Sequence, residues 1–383
     1  MLKFLYVYVR SGTQTNPKLT PGRFAASPTA GPSADIMTQK RRWKAYVAIF
    51  AAIAFVSAVV TPLTIMTFDN FACRTQGHGP DDFLAYCRSI RYGDYEHGAL
   101  YYGLEPKARE SIRAAQVLFL GNSRLQAAFA ANAIRDYFRA RGIRYFVMGF
   151  GYGDVSAFGI PTMERSGTSP KLIIINADPF FVEPTKLSEA AKEAIEGGPK
   201  YLWRLTLKMA FQRVHPIICR AVPLCPESEP SIFRSATDGQ WSWIGPYIEE
   251  RDVPVDPATA QRLPEFEIER AKTIGEMFLN RIGLDRQCVV FTGIPTNGLN
   301  SPEVAEVLAT TLHTRFLAPK IDGLSTVDGG HLNSRSAELW SAAFVEALTP
   351  IVAECLGPQP AVAGRGERWR LGHEAEFSAG ARR

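Results

Sequence analysis

The chain has 383 residues, 46% hydrophobic and 21% charged, the balance of a globular protein long enough for one large domain or two small ones. That apolar content excludes disorder over the whole length. Lys+Arg 43 against Asp+Glu 38 leaves a mild net charge of +5, with no basic stripe interleaved with aromatics, and so excludes the footprint of a nucleic-acid binder.

Residues 1–36 are rich in Pro, Ser, Thr and Gly and show neither helical nor strand period. They read as a disordered cytoplasmic tail or as a mis-called start, because Met37 opens "MTQKRRWKAY", an ordinary beginning for a signal-anchor protein. The run "AYVAIFAAIAFVSAVVTPLTIM" over 45–66 carries no charge and has the length of about 20 apolar residues that spans a bilayer. Lys40, Arg41, Arg42 and Lys44 precede it, which predicts a cytoplasmic N-terminus and an exported remainder. A buried core helix and a signal peptide cleaved near Val56-Ser57-Ala58 are the rivals. The apolar run continues past that point and favours an uncleaved anchor. The expected location is the inner (cytoplasmic) membrane, single-pass, with the bulk of the chain periplasmic or extracellular.

All six cysteines, Cys73, Cys87, Cys219, Cys225, Cys288 and Cys355, follow the apolar run, and an even count on an exported side suggests disulfides. Cys73–Cys87 and Cys219–Cys225 are the local pairings, leaving Cys288–Cys355. Six cysteines allow about 15 connectivities, and spacing alone does not choose among them. No CxxC occurs, which disfavours zinc and thioredoxin-like chemistry, and no cofactor or metal is expected.

Residues 67–115 form a lead-in segment. From residue 116, apolar runs bounded by turn residues predict buried parallel strands at 116–121, 144–151, 171–178 and 287–295. Helical patterns cover 124–142 after the first strand, 265–283 before the fourth and 336–355 at the end. Strands alternating with amphipathic helices predict an α/β domain with a parallel sheet over 116–356. An insertion over 183–264 interrupts it, with a helical stretch at 200–218 and an irregular part rich in Pro and Trp. Insertions of this length often act as lids or subdomains. Residues 357–383 lose periodicity and read as a disordered tail.

Sites in open α/β sheets gather at the carboxyl ends of strands. The first strand delivers Gly121-Asn122-Ser123, the second Gly149-Phe150-Gly151-Tyr152-Gly153-Asp154, the third Asn176-Ala177-Asp178 and the fourth Gly293-Ile294-Pro295-Thr296-Asn297. Before the last helix stands "TVDGGHLNSRSAELW", with Asp328 three residues ahead of His331. An aspartate so placed can hold one ring nitrogen of the histidine while the other takes a proton from a serine. Alone, His331 could be a cap and Ser123 or Asn122 a helix-start residue. Together they suggest a nucleophile and its base.

These residues resemble the SGNH (GDSL-like) hydrolase family over roughly 116–355. Its first block, Gly-Asp-Ser, matches Gly121-Asn122-Ser123, and its last, Asp-x-x-His, matches Asp328 and His331. Its second block supplies an oxyanion-binding glycine, here Gly151, with Gly149 where many members carry asparagine. Its third block is Gly-x-Asn-Asp. Asn176 is the candidate there, although the glycine is missing and the spacing is off by about one residue. The resemblance implies a flavodoxin-like three-layer sandwich with a central parallel sheet, and catalysis by Ser123, His331 and Asp328. The oxyanion hole would come from Ser123, Gly151 and Asn176. With the anchor, the chain looks like the membrane-anchored branch that includes alginate O-acetylation and teichoic-acid D-alanylation proteins. That likeness implies an acylated glycan or polymer as substrate, possible work beside a multispanning acyltransferase, and either esterase or O-acyltransferase chemistry. A catalytically silent scaffold of a cell-envelope complex is the alternative.

Other readings carry less. "GFGYGD" gives Gly-x-Gly, but the third glycine of a dinucleotide fingerprint would fall at Asp154. Trp241 and Trp243 could form a sugar platform or the small core of the insertion. Arg124 could hold an anionic substrate or be a solvated residue at the start of a helix. Asp154 and Asp178 could be site carboxylates, but both also read as turn or cap residues.

Overall fold

The computed structural model describes residues 42–57, 81–87, 94–151, 154, 156–181, 187–221, 231–243 and 252–357. The expectations for the 1–36 tail, the Met37 start, Cys73, Cys225 and the tail beyond 357 lie outside these residues. The chain divides into two units, Met1–Pro62 and Leu63–Arg383. In the first, residues 42–57 form helix α1, whose large apolar side chains, Trp43, Tyr46, Ile49, Phe50 and Ile53 among them, are exposed. The remainder of the expected 45–66 span, residues 58–66, is outside the described part. Among the described residues, the helix long and apolar enough to cross a membrane is Ser334–Leu356, near the C-terminal end and not the N-terminal one.

The second unit is α/β. In chain order it runs β1 (Asp82–Cys87), α2 (Asp94–Tyr102), α3 (Pro106–Ala114), β2 (Val117–Gly121), α4 (Ser123–Phe129), α5 (Asn132–Ala140), β3 (Tyr145–Gly149), α6 (Ser156–Ser166), β4 (Leu172–Asn176) and α7 (Ala177–Phe180). Then follow α8 (Glu189–Glu196), α9 (Gly198–Ala221), β5 (Ser231–Ser235), β6 (Trp241–Trp243), β7 (Val253–Pro254), α10 (Glu265–Ile282), β8 (Val289–Thr292), α11 (Ser301–Thr311), β9 (Arg315–Phe316), β10 (Ser325–Thr326) and α12 (Ser334–Leu356).

Five strands form a parallel sheet in the order β3-β2-β4-β8-β9. Every residue of β2, β3, β4 and β8 is buried, which explains their unbroken apolar sequences: both faces of the sheet are covered. Leu118, Leu120, Met148, Ile173, Ile175 and Phe291 share one core with α3, α6, α10 and α11. Val117, Phe119, Val147, Ile174 and Val290 share the other with α4, α5 and α12. Trp340, Phe344, Leu348 and Val352 recur at helical spacing on the buried face of α12, so its apolar length is that of a core helix.

Three sequence expectations change. The lead-in is part of the domain: Phe83, Leu84, Leu100, Ala108 and Ile112 enter the first core, so the boundary at 116 falls inside it. The insertion folds back on that lead-in, since β5 pairs antiparallel with β1 and with β6 in a second sheet of order β1-β5-β6. The helix expected over 124–142 is two helices. Glu338 of α12 accepts from the backbone N–H groups of Asn132 and Ala133, both at 2.9 Å, and starts α5 afresh after Ala131.

Cys288 and Cys355 form a disulfide with a Cα–Cα distance of 5.7 Å, joining the approach to β8 to the end of α12.

Candidate active site

The order β3-β2-β4 means that the chain leaves β2 to one side, then returns past it to the other. Crevices open where the direction of winding reverses, at the carboxyl ends of the strands. Ser123 stands there, as the first residue of α4 directly after β2. Asn122 caps the helix: its side-chain oxygen accepts from Arg124 N–H at 3.0 Å, while its amide donates to the Asp178 carbonyl. Gly149 matters for close approach. A Cβ there would lie 2.7 Å from Asn122 O and 2.8 Å from Gln126 Cγ, so any side chain would push the turn away.

The base comes from the turn between β10 and α12. Asp328 Oδ1 accepts from the backbone N–H groups of Gly330 and His331, both at 2.9 Å. Gly329 takes φ +87, a left-handed conformation that glycine adopts without strain. Asp328 Oδ2 is thereby presented to His331 Nδ1 at 2.8 Å, and His331 Nε2 lies 2.8 Å from Ser123 Oγ. A carboxylate on Nδ1 fixes the tautomer with the proton there and leaves Nε2 as acceptor for the serine hydroxyl. Partial burial pushes the Asp328 carboxyl up, but the bonds and charge of His331 and the two backbone N–H groups outweigh it and hold its pKa at about 2. The pairing of β7 with β10 and the bond from Asn297 N–H to Gly329 O (2.9 Å) brace this loop.

The expected oxyanion donors fare differently. Ser123 N–H belongs to the first turn of α4, whose amides have no intrahelical acceptor. Gly151 N–H donates to Asp154 Oδ2 at 3.0 Å. Asn176 is fully buried and its amide donates to Asn122 Oδ1 at 3.1 Å, bracing the nucleophile turn. The expected substrate contacts are likewise redistributed. Arg124 is ion-paired with buried Asp178. Trp241 is buried and turns its indole N–H to Glu96 Oε2 at 3.3 Å. Trp243 packs on the base, its ring edge-to-face with His331 at 5.9 Å. A cleft of about 280 Å³ opens here, its lining including Ala127, Ala130, Arg135, Gln240, Trp241 and both these rings. Arg135 is satisfied from within, by Asp238 at 3.2 Å and Gln240 at 2.6 Å.

Sequence reasoning missed two buried ionic contacts under this site. Arg234 of β5 pairs with Glu96 of α2 at 2.6 Å, both side chains fully buried. The next residue, His97, meets Asp154 at 2.6 Å, and Ser188 also donates to Asp154. Burial pushes the Asp154 carboxyl up, yet His97, Ser188 and Gly151 N–H together lower its pKa. Neither pair has a local sequence signal, because each joins segments far apart in the chain. Among the described residues no group of three or more His, Cys, Asp or Glu side chains is arranged to hold a metal.

No protein-family model, curated protein or solved structure matches this chain.

Proposed function

We propose that the chain is a membrane-anchored, extracytoplasmic serine acyl hydrolase or O-acyltransferase of SGNH type, acting on an ester of a cell-surface glycan or related polymer. The observation that carries this reading is the chain of contacts from Ser123 Oγ through His331 to Asp328, at 2.8 Å and 2.8 Å. The strand order, 2-1-3-4-5 when the sheet strands are counted along the chain, supports a flavodoxin-like sandwich. The Cys288–Cys355 disulfide supports an oxidising compartment, and the basic cluster before the apolar run over 45–66 supports the anchor.

In the proposed reaction Ser123 Oγ attacks the ester carbonyl carbon as its proton passes to His331 Nε2. Asp328 stabilises the imidazolium. Collapse of the tetrahedral intermediate breaks the bond to the leaving oxygen, which takes the proton from His331. Water or a sugar hydroxyl, entering beside Trp243, then gives its proton to His331 Nε2 and attacks the acyl-serine carbonyl carbon. Collapse of this second tetrahedral intermediate breaks the bond to Ser123 Oγ, which takes the proton back from His331 and releases the acid or the new ester. The Ser123 N–H is the nearest oxyanion donor by position.

One observation favours a second reading, a silent SGNH-fold scaffold in a polymer modification or export complex. The two other expected oxyanion donors, Gly151 N–H and the Asn176 amide, are bonded to Asp154 and Asn122. Labelling with a serine-reactive fluorophosphonate separates the two. The enzyme reading expects labelling that Ser123→Ala abolishes. Labelling that is absent, or that persists in Ser123→Ala, supports the scaffold.

A further inference from the structure

A fully buried arginine is costly unless its donors are paired, and Arg234 makes four hydrogen bonds at one place. Its Nε donates to Glu96 Oε2 at 2.6 Å. Its Nη1 donates to the carbonyls of Val147 (2.7 Å) and Gly239 (2.8 Å), and its Nη2 donates to the carbonyl of Gly149. The guanidinium lies over the rings of Phe150 and Trp241, at 5.3 and 5.5 Å. Two of those acceptors, Val147 O and Gly149 O, lie in the carboxyl half of β3, and Gly149 packs against Ser123's turn. They also accept from Gln126 Nε2, each at 3.1 Å, and Gln126 stands three residues after Ser123 on α4. Phe150 N–H closes the circuit by donating to Gly121 O at 3.2 Å.

We propose that Arg234 and Gln126 are positioning residues for Ser123. Arg234, neutralised by Glu96, fixes the two β3 carbonyls. Gln126 docks α4 on the same carbonyls and so sets where Ser123 Oγ stands relative to His331 Nε2. The lead-in helix α2 and the insertion hairpin β5–β6 therefore serve the site from below: one supplies the counter-charge, the other the clamp. This rests on reading Ser123 as the nucleophile. It explains why Glu96, Arg234 and Gln126 are buried polar groups in a region where apolar side chains would pack more cheaply. A displacement of the order of 1 Å at a reacting atom can cost about 100-fold in rate.

The test uses the full chain in detergent with p-nitrophenyl acetate as probe, and two variants. Gln126→Leu cuts the tie to α4 and leaves Arg234 in place. The double variant Glu96→Leu with Arg234→Met replaces the ion pair by an apolar pair and avoids stranding a buried charge. Two readouts are taken on each variant that melts cooperatively: kcat and KM, and the His331 ring resonances in histidine-labelled protein. Both variants should lower kcat about 10- to 100-fold with KM within about twofold. Both should also move the His331 resonances toward those of Ser123→Ala. The resonances report the Ser123–His331 contact whether or not substrate is turned over, so an inert wild type would count against the proposed function and leave this proposal to be decided by the resonances. Wild-type kcat and wild-type His331 resonances in either variant would overturn it.

Discussion

At the scale of single residues, Asp328 is the group whose surroundings say most. Its carboxyl takes two backbone N–H groups on one oxygen and the His331 ring on the other, and its pKa falls to about 2. A folded-state pKa below the unfolded one gives stability that is present above the unfolded value, about 3.9. That stability is lost as pH falls toward 2. Acid titration of the melting temperature should therefore show a drop between about pH 4 and 2 that Asp328→Asn removes. The same variant keeps the loop but presents the wrong tautomer of His331, and ester turnover should fall by up to about 10⁴-fold. Arg234 belongs to a different class. Arg234→Ala strands Glu96 without its partner and should destabilise the domain by roughly 3–5 kcal/mol in urea unfolding, a larger effect than any exposed ion pair would give. The triad was legible in the sequence because each member sits in a short local signature: Gly-x-Ser after a strand, Asp-x-x-His before a helix. Arg234, Glu96, His97 and Gln126 were not. A charged residue in a buried hairpin looks like any surface charge until its distant partner is known, and nothing local in the sequence shows that the Asp154 carboxylate takes up the Gly151 N–H.

At the scale of elements, the four strong strands were legible because β2, β3, β4 and β8 are buried on both sides and read as unbroken apolar runs. The two-residue strands β7, β9 and β10 were not, since ribbons that short carry no period. The break between α4 and α5 was hidden as well. The alanine-rich sequence favours continuing the helix, and the carboxylate that restarts it comes from Glu338, about two hundred residues later. Helix α12 shows the opposite problem: a composition that suits a membrane, in an element whose Trp340 and Phe344 are in the core. Trp340→Ala should cost about 3–5 kcal/mol, measured by urea unfolding, as deletion of a buried aromatic does. The far end of α12 is tied by the Cys288–Cys355 disulfide across a separation of 67 residues. Replacing both cysteines by serine should cost about 2–5 kcal/mol by the same measurement, with ester turnover little changed because the bridge lies at the opposite end of α12 from His331.

At the scale of the whole molecule, the lead-in and the insertion turn out to be parts of one α/β unit, joined through β1-β5-β6 and through the clamp beneath Ser123. The sequence presents them as a lead-in segment and as a lid or subdomain because neither has the alternating pattern of the main sheet. The proposed topology places this unit outside the membrane. Alkaline phosphatase fused after Cys355 should be active; a silent phosphatase fusion, together with a fluorescent protein fused at the same site that is bright in the cytoplasm, would reverse the orientation. The central claim is that Ser123 carries the acyl group between donor and acceptor. The most direct test is to mix the full chain with p-nitrophenyl acetate, quench with acid within the first turnover and map the modified peptides by mass. The account predicts an acetyl group on the peptide spanning Gly121–Arg124, at Ser123, absent from Ser123→Ala and released on longer incubation. No acyl adduct in the wild type, or one at any other residue with Ser123 unmodified, would contradict it.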